Sequence, residues 1–291
     1  MNINIDYLDR VRRMAALFTT RKTSDLLEGD FSSLQHGRSL DFDDLREYRY
    51  GDEISDIDWK SSSRTGKTLV RRYFADRKHN VLFVGDTGKK MTGDTPAGES
   101  KEQIALMTFG MCAYLFDKQG INYALAYSGA EGETVTHFLS GAEHLERLLA
   151  GYEKAIECGK PAHSLNTVLE NVSAAFSRHL VMVIITDGEG LAEIDEKLIR
   201  RMIYHNDVYI FKIEDAFLTT PDVYDLTADR FEDPYLAADR QLRKEEERLR
   251  GEMDQSAEKT MTPYRVFFRS ISREEEIVDA LVELIRRRKG A

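Results

Sequence analysis

At 291 residues, 42% of them hydrophobic and 32% charged, the chain has the size of one large α/β domain or two smaller ones and the composition of a soluble, cytoplasmic protein. Its net charge of −10 disfavours a generic nucleic-acid binder, which needs clustered Lys and Arg, and no apolar run reaches the roughly 18 residues of a membrane helix. Two cysteines, Cys112 and Cys158, lie far apart without metal-ligand spacing, which argues against zinc or disulfide staples.

The amino terminus has no uninterrupted apolar stretch and no small-residue cleavage site, so it does not read as a signal peptide. After two short helices, the stretch GRSLDFDDLREYRYGDEISDIDWKSSSRTGKTLVRRYFADRK, 37–78, is dense in turn residues and short alternating runs, which predicts small strands and hairpins. From Val81 onward, strand-like and helix-like segments alternate, the pattern of a mostly parallel sheet with helices on both faces. VLFVGD is the first strand, and a largely apolar helix follows it, carrying Ile104, Met107, Phe109, Met111, Tyr114 and Leu115 and ending near Gly120. INYALAYS is the second strand, and SGAEGETVTHFLS turns into a short antiparallel edge strand. AEHLERLLAGYEKA is helical, Ser164 or Asn166 caps the next helix, and LVMVIITDGEG, the most hydrophobic strand, belongs at the sheet centre. EIDEKLIRRMIYH and DVYIFKIED supply another helix and strand, and YRVFFRS with REEEIVDALVELIRRR closes the fold. The expected division is an amino-terminal helical and strand-rich segment, 1–79, and an α/β domain, 80–291, with a charged helical insertion around 234–257.

Two glycine-containing loops imitate phosphate sites. SSSRTGKT, Ser61 to Thr68, lacks only the first glycine of G-x-x-x-x-G-K-[ST], but TLVRRYF after it alternates like a strand where a phosphate-binding helix is required. Thr65 and Gly66 therefore read as a hairpin turn, and Gly66, Lys67 and Thr68 as no nucleotide site. In VGDTGKKM, 84–91, only two residues separate Gly85 from Gly88, too few for that loop. A different grouping is more informative. Asp86 ends the first strand, Thr167 lies at a helix start, and Asp187 ends the central strand; strand carboxyl ends of an open parallel sheet converge on one rim. Two carboxylates and a hydroxyl suit Mg2+, which takes oxygen ligands in octahedral geometry, although Asp187 and Gly188 also read as a simple turn. The seven histidines are scattered, and no Ser or Cys sits in a nucleophile turn, so an enzyme is not expected.

The order and spacing of these rim residues resemble a von Willebrand factor A-like domain. In that superfamily a metal-ion-dependent adhesion site uses Asp-x-Ser-x-Ser after the first strand, a later Thr, and an Asp after the fourth. A more specific resemblance, over roughly residues 37 to 91, is to domain-of-unknown-function family 58 within that superfamily. Its pattern of Leu-Arg-Glu-Tyr, Gly-Asp and Ile-Asp-Trp with a following Arg falls on Leu45 to Tyr48, Gly51 and Asp52, Ile57 to Trp59, and Arg64. This implies a rim built from Asp86, Gly88, Lys90, Thr167 and Asp187, with Gly88 and Lys90 replacing the two serines. Two oxygen ligands are thereby lost and a cation gained, so Mg2+ is disfavoured, no cofactor is expected, and Asp86, Thr167 and Asp187 would be the ligands of any metal. Lys90 instead places its charge between Asp86 and Asp187. Trp59 reads as a packed anchor, and Arg46, Asp52, Asp58 and Arg64 as an ion network; with Tyr48 and Gly51 these motif residues are either structural or a recognition surface. The resemblance implies a non-enzymatic interaction adaptor that works with a MoxR-type AAA+ ATPase. The alternatives are a metal-dependent hydrolase using Asp86 and Asp187, and a nucleic-acid binder using the basic stretch 64–79 through Arg64, Lys67, Arg71, Arg72, Arg77 and Lys78.

Overall fold

The computed structural model describes residues 9–14, 42–49, 52, 54, 57–73, 80–219, 224–225, 230–231 and 239–290. The chain forms two compact units, one of Met1–Asp30 with His79–Ala291 and one of Phe31–Lys78. The helical residues 9–14 group with the larger unit: Arg10 pairs with Glu274 at 2.6 Å, and Val11 is fully buried against Gly110.

In the smaller unit β1 (Phe42–Glu47) pairs antiparallel with β2 (Leu69–Tyr73), Glu47 opposite Leu69. Between them the sequence predicted only strands and turns, whereas the chain forms a helix, α1 (Trp59–Thr65). None of its residues is buried, so no apolar period announces it. Local hydrogen bonds hold it instead. Asp58 caps it by accepting from Ser61 N at 2.9 Å, and the Ser62 hydroxyl donates to Asp58 O at 2.7 Å while accepting from Leu69 N at 2.8 Å. Gly66 ends it at φ 71°, its N–H on Ser62 O at 2.9 Å. Thr65 and Gly66 are thus a helix end, and the expected hairpin turn is corrected. The order helix then strand is the reverse of a phosphate loop's.

The larger unit is built on a six-stranded sheet in the order β10-β7-β6-β3-β4-β5. Its strands are β3 (Asn80–Gly85), β4 (Tyr123–Gly129), β5 (Gly132–Val135), β6 (Leu180–Asp187), β7 (Asn206–Ile213) and β10 (Phe267–Ile271). All neighbours are parallel except β4 and β5, the predicted antiparallel edge. Every residue of β6 is buried, as a strand covered on both faces must be. Alternation sorts the side chains. Leu82, Val84, Met182 and Ile184 share a cluster with Val168, Leu169, Leu198 and Ile199 of α4 (Leu165–Ala175) and α6 (Glu196–Ile203). Phe83 points the other way, edge-on to Phe109 at 5.0 Å, and Phe109 meets Tyr152 at 6.3 Å, which seats α2 (Lys101–Lys118) and α3 (Ala142–Ile156) on the opposite face.

A six-residue helix, α5 (Gly188–Glu193), follows β6 where a bare turn was the alternative reading. After β7 come a two-residue ladder of β8 (Tyr224–Asp225) and β9 (Arg230–Phe231), then the charged helix α7 (Arg240–Met261), and α8 (Ile277–Gly290) follows β10. The insertion expected at 234–257 is this α7, displaced toward the carboxyl end, and 234–238 lie outside the described residues. Among the described residues no helix is long and apolar enough to cross a membrane. Sheet order reverses between β3 and β6, which places the crevice of an open α/β sheet beyond the carboxyl ends of these two strands.

Candidate functional site at the carboxyl rim of the sheet

Asp86 follows β3 and is 4% exposed, so each of its oxygens must find a donor. Its Oδ1 accepts from Thr87 N at 2.9 Å, and its Oδ2 accepts from Thr186 Oγ1 at 2.6 Å and lies 2.9 Å from Lys90 Nζ. Asp187, at the end of β6, caps α5 by accepting from Gly190 N at 2.9 Å on Oδ1, which also lies 3.8 Å from Lys90 Nζ. Lys90 therefore sits between the two aspartates. Gly88, at φ 91°, opens the short turn Lys89–Met91 that carries it, and a Cβ there would meet Pro161 Cδ at 2.6 Å.

A second ammonium, absent from the sequence expectation, completes the cluster. Lys101, 1% exposed at the start of α2, lies 3.0 Å from Asp187 Oδ2, donates to the backbone O of Lys90 at 2.6 Å, and pairs with Asp215 beyond β7. The signal for it was available: Lys101 precedes Ile104, Ala105 and Thr108 on one buried stripe, and a charge there needs a buried partner. Gly190 is fixed by the same crowding, because a Cβ would stand 2.1 Å from Thr186 Oγ1 and 2.4 Å from Asp86 Oδ2. Burial pushes the Asp86 carboxyl above the usual aspartate range against the pull of Lys90. Burial would lower Lys90, but Asp86 and Asp187 hold it above the ordinary lysine value.

The loop that carries Asp215 is anchored by α7. Arg250 donates to Asp215 O and, at 2.6 Å, to Ala216 O; its guanidinium lies 4.3 Å from the Phe217 ring. Glu246 accepts from Leu218 N at 2.9 Å and from Thr219 Oγ1 at 2.8 Å. Buried Lys212 ties α7 to the sheet through Asp254 at 2.6 Å.

Of the rim residues named from sequence, the structure brings Asp86, Lys90 and Asp187 together and gives Gly88 the turn that positions Lys90. The Thr167 hydroxyl meets Ser164 Oγ at 3.2 Å in the first turn of α4, and the hydroxyl that donates to Asp86 is that of Thr186. Ser164, one of the two expected caps, accepts from Thr167 N. The donor set does not fit Mg2+. The lone pairs that would face a metal already take Thr186, Lys90, Gly190 and Lys101, and an ammonium occupies the space between the carboxylates.

The motif of the smaller unit divides into separate devices. Arg46 holds Asp52 in a two-bond pair of 2.8 and 2.6 Å, and Asp52 also accepts from Arg49 N at 2.7 Å, which keeps its carboxyl below the usual range. Asp58 serves as the α1 cap, Arg64 is exposed on the last turn of α1, and Tyr48 N donates to Thr68 O at 2.8 Å. Of the four residues expected as a network, Arg46 and Asp52 pair with each other and Asp58 caps α1. Trp59, expected as a packed anchor, is 67% exposed. Lys67 pairs with Glu47, Arg71 and Arg72 lie on β2, and Gly51, Arg77 and Lys78 lie outside the described residues.

The model of the family "Protein of unknown function DUF58" matches residues 44–262. The chain belongs to that family. None of the curated proteins compared with the sequence matches it. Among solved structures, this DUF58 protein is similar to a von Willebrand factor type A protein from Catenulispora acidiphila, at 12% identity and a TM-score of 0.38, over 77% of this chain and 45% of that one. It thus spans less than half of that structure's length. It is also similar to an aerotolerance-related membrane protein from Bacteroides fragilis, at 12% identity and a TM-score of 0.44, over 72% of this chain and 98% of that one. A third is proximal thread matrix protein 1 from the mussel byssus, at 12% identity and a TM-score of 0.40, over 72% and 47%. The fold itself is a mostly parallel six-stranded sheet with one antiparallel edge strand, flanked by helices, with a two-stranded antiparallel sheet in the smaller unit.

Proposed function

We propose that this DUF58 protein is a non-enzymatic adaptor that contacts protein partners through the carboxyl rim of its sheet, takes no divalent cation there, and works with a MoxR-type AAA+ ATPase in assembling or maturing a complex. The observation that carries this reading is the seat of Lys90, 2.9 Å from Asp86 and 3.8 Å from Asp187. A rim closed by its own ammonium groups offers no open coordination position and no activated nucleophile, while it keeps the strand-end platform on which open α/β sheets bind. Lys90 and Asp215 are the parts of the cluster that reach solvent, at 25% and 45% side-chain exposure, and a partner would meet these charges first.

The test is biolayer interferometry of the full chain against the MoxR-type ATPase of the same cell, with and without ATP. Saturable binding that Lys90→Ser weakens about tenfold, a loss of about 1.4 kcal/mol, is expected. Absence of binding in both nucleotide states, or equal binding by Lys90→Ser, would refute the reading.

A further inference from the structure

The helix α1 of the smaller unit has no role in the rim reading. A helix of seven residues is too short to persist on its own, and none of its residues is buried, yet it is fixed at both ends by the Asp58 cap, the Gly66 terminus and the Ser62 bridge to β2. Ser61 and Ser62 are the partly covered positions, so the outward face consists of Trp59, Lys60, Ser63 and Arg64, contiguous at helical spacing. Trp59 is the only tryptophan of the chain. A side chain that contributes so much area when covered is held two-thirds open, on a segment whose ordering cost has already been met by hydrogen bonds.

Charge defines what fits this face. Glu47 pairs with Lys67, and Asp52 with Arg46. Among the described residues no carboxylate pairs with Lys60 or Arg64, so the tryptophan is flanked by two uncompensated cations. A nucleic-acid track needs a longer row of free cations than the described side chains of this face supply, because each phosphate contact contributes separately, and Lys67 and Arg46 are already neutralised. Trp and Arg side by side, rigid and open, are the composition of a protein-binding hot spot.

We infer that the Trp59–Lys60–Arg64 face of α1 is a docking surface for an acidic protein segment, the indole taking an apolar or aromatic side chain of the partner and the two cations its carboxylates. This surface belongs to the smaller unit and shares no residue with the sheet rim.

Trp59 itself reports the event. The full chain is titrated with a copolymer of glutamate and tyrosine while the single tryptophan is excited selectively, and binding is followed in parallel by anisotropy of the labelled copolymer. The expected result is a blue-shifted Trp59 emission and an affinity that falls with added salt. Trp59→Ala and Arg64→Glu should each weaken binding by at least about tenfold. Tyr204→Ala, an exposed aromatic of the other unit, should leave binding unchanged. Circular dichroism distinguishes loss of binding from loss of fold. Equal binding by Trp59→Ala or Arg64→Glu overturns the inference, as do preferential binding of a single-stranded oligonucleotide and no binding at low salt. An emission shift on concentrating the protein alone also overturns it, since that assigns the face to a second copy.

Discussion

The rim cluster and the helix α7 use the same pair chemistry under opposite conditions. At the rim, Asp86, Asp187 and Lys101 are 4%, 2% and 1% exposed, and each charge is satisfied by more than one neighbour. Along α7, Arg243 with Glu247, and Arg248 with Glu245 and Glu252, form i,i+3 and i,i+4 pairs whose members are about half exposed. Water screens the second set, so those pairs confer solubility and a little helix stability. It does not reach the buried Asp86, Asp187 and Lys101. There, the removal of one member leaves another buried without compensation, which is the expensive case. Number of ion pairs therefore says little about this protein, and position says a great deal.

Lys101→Met, the largest expected effect, would strip Asp187 of its inner cation and should cost about 3 to 5 kcal/mol in urea unfolding. A loss under about 1 kcal/mol would erase the distinction between the two regions. Lys90→Met comes next, with a pH signature. Lys90 opposes the rise of the Asp86 carboxyl, so its removal lifts that group further. A carboxyl raised in the fold contributes its stability below the unfolded value, about 3.9, and loses it as pH climbs through the folded value. The deficit of Lys90→Met against the parent should therefore grow from pH 4 to pH 8, by about 1.4 kcal/mol for each unit of further rise. A deficit that shrinks over that interval would contradict the geometry. Arg248→Ala, which removes two helical pairs at once, should move the melting temperature by no more than about 2 °C. The smallest effect concerns Mg2+: calorimetric titration should give no micromolar heat, and binding that Asp86→Ala abolishes would show the rim to be open.

The same contrast explains what the sequence made legible. Buried strands announce themselves by unbroken apolar runs, so VLFV and LVMVIIT are found at once, and with them Asp86 and Asp187 at their ends. Lys90 could be placed because it follows Asp86 by one turn. Lys101 was missed because a lone lysine at a helix start reads as a hydrated terminus, and only the buried stripe beneath it says otherwise. Thr186 carries no signal of its own inside the apolar run of β6, yet it is the strand's hydroxyl that donates to Asp86. The α1 helix left no periodic trace, since local hydrogen bonds and not burial hold it. Its exposed tryptophan likewise contradicts the average behaviour of that residue type.

The long reach of Lys101 also sets an order of assembly during synthesis. Its partners Asp187 and Asp215 lie 86 and 114 residues further along the chain. Until both have been made, the ammonium has to stay hydrated, and the first turn of α2 cannot settle onto the sheet without stranding a charge. The rest of that apolar helix can collapse early against β3, but its amino-terminal end must wait for β6 and the loop after β7. The rim can thus close only once the chain has been made through Asp215, while β10 and α8, further along the sequence, are added to the sheet domain afterwards.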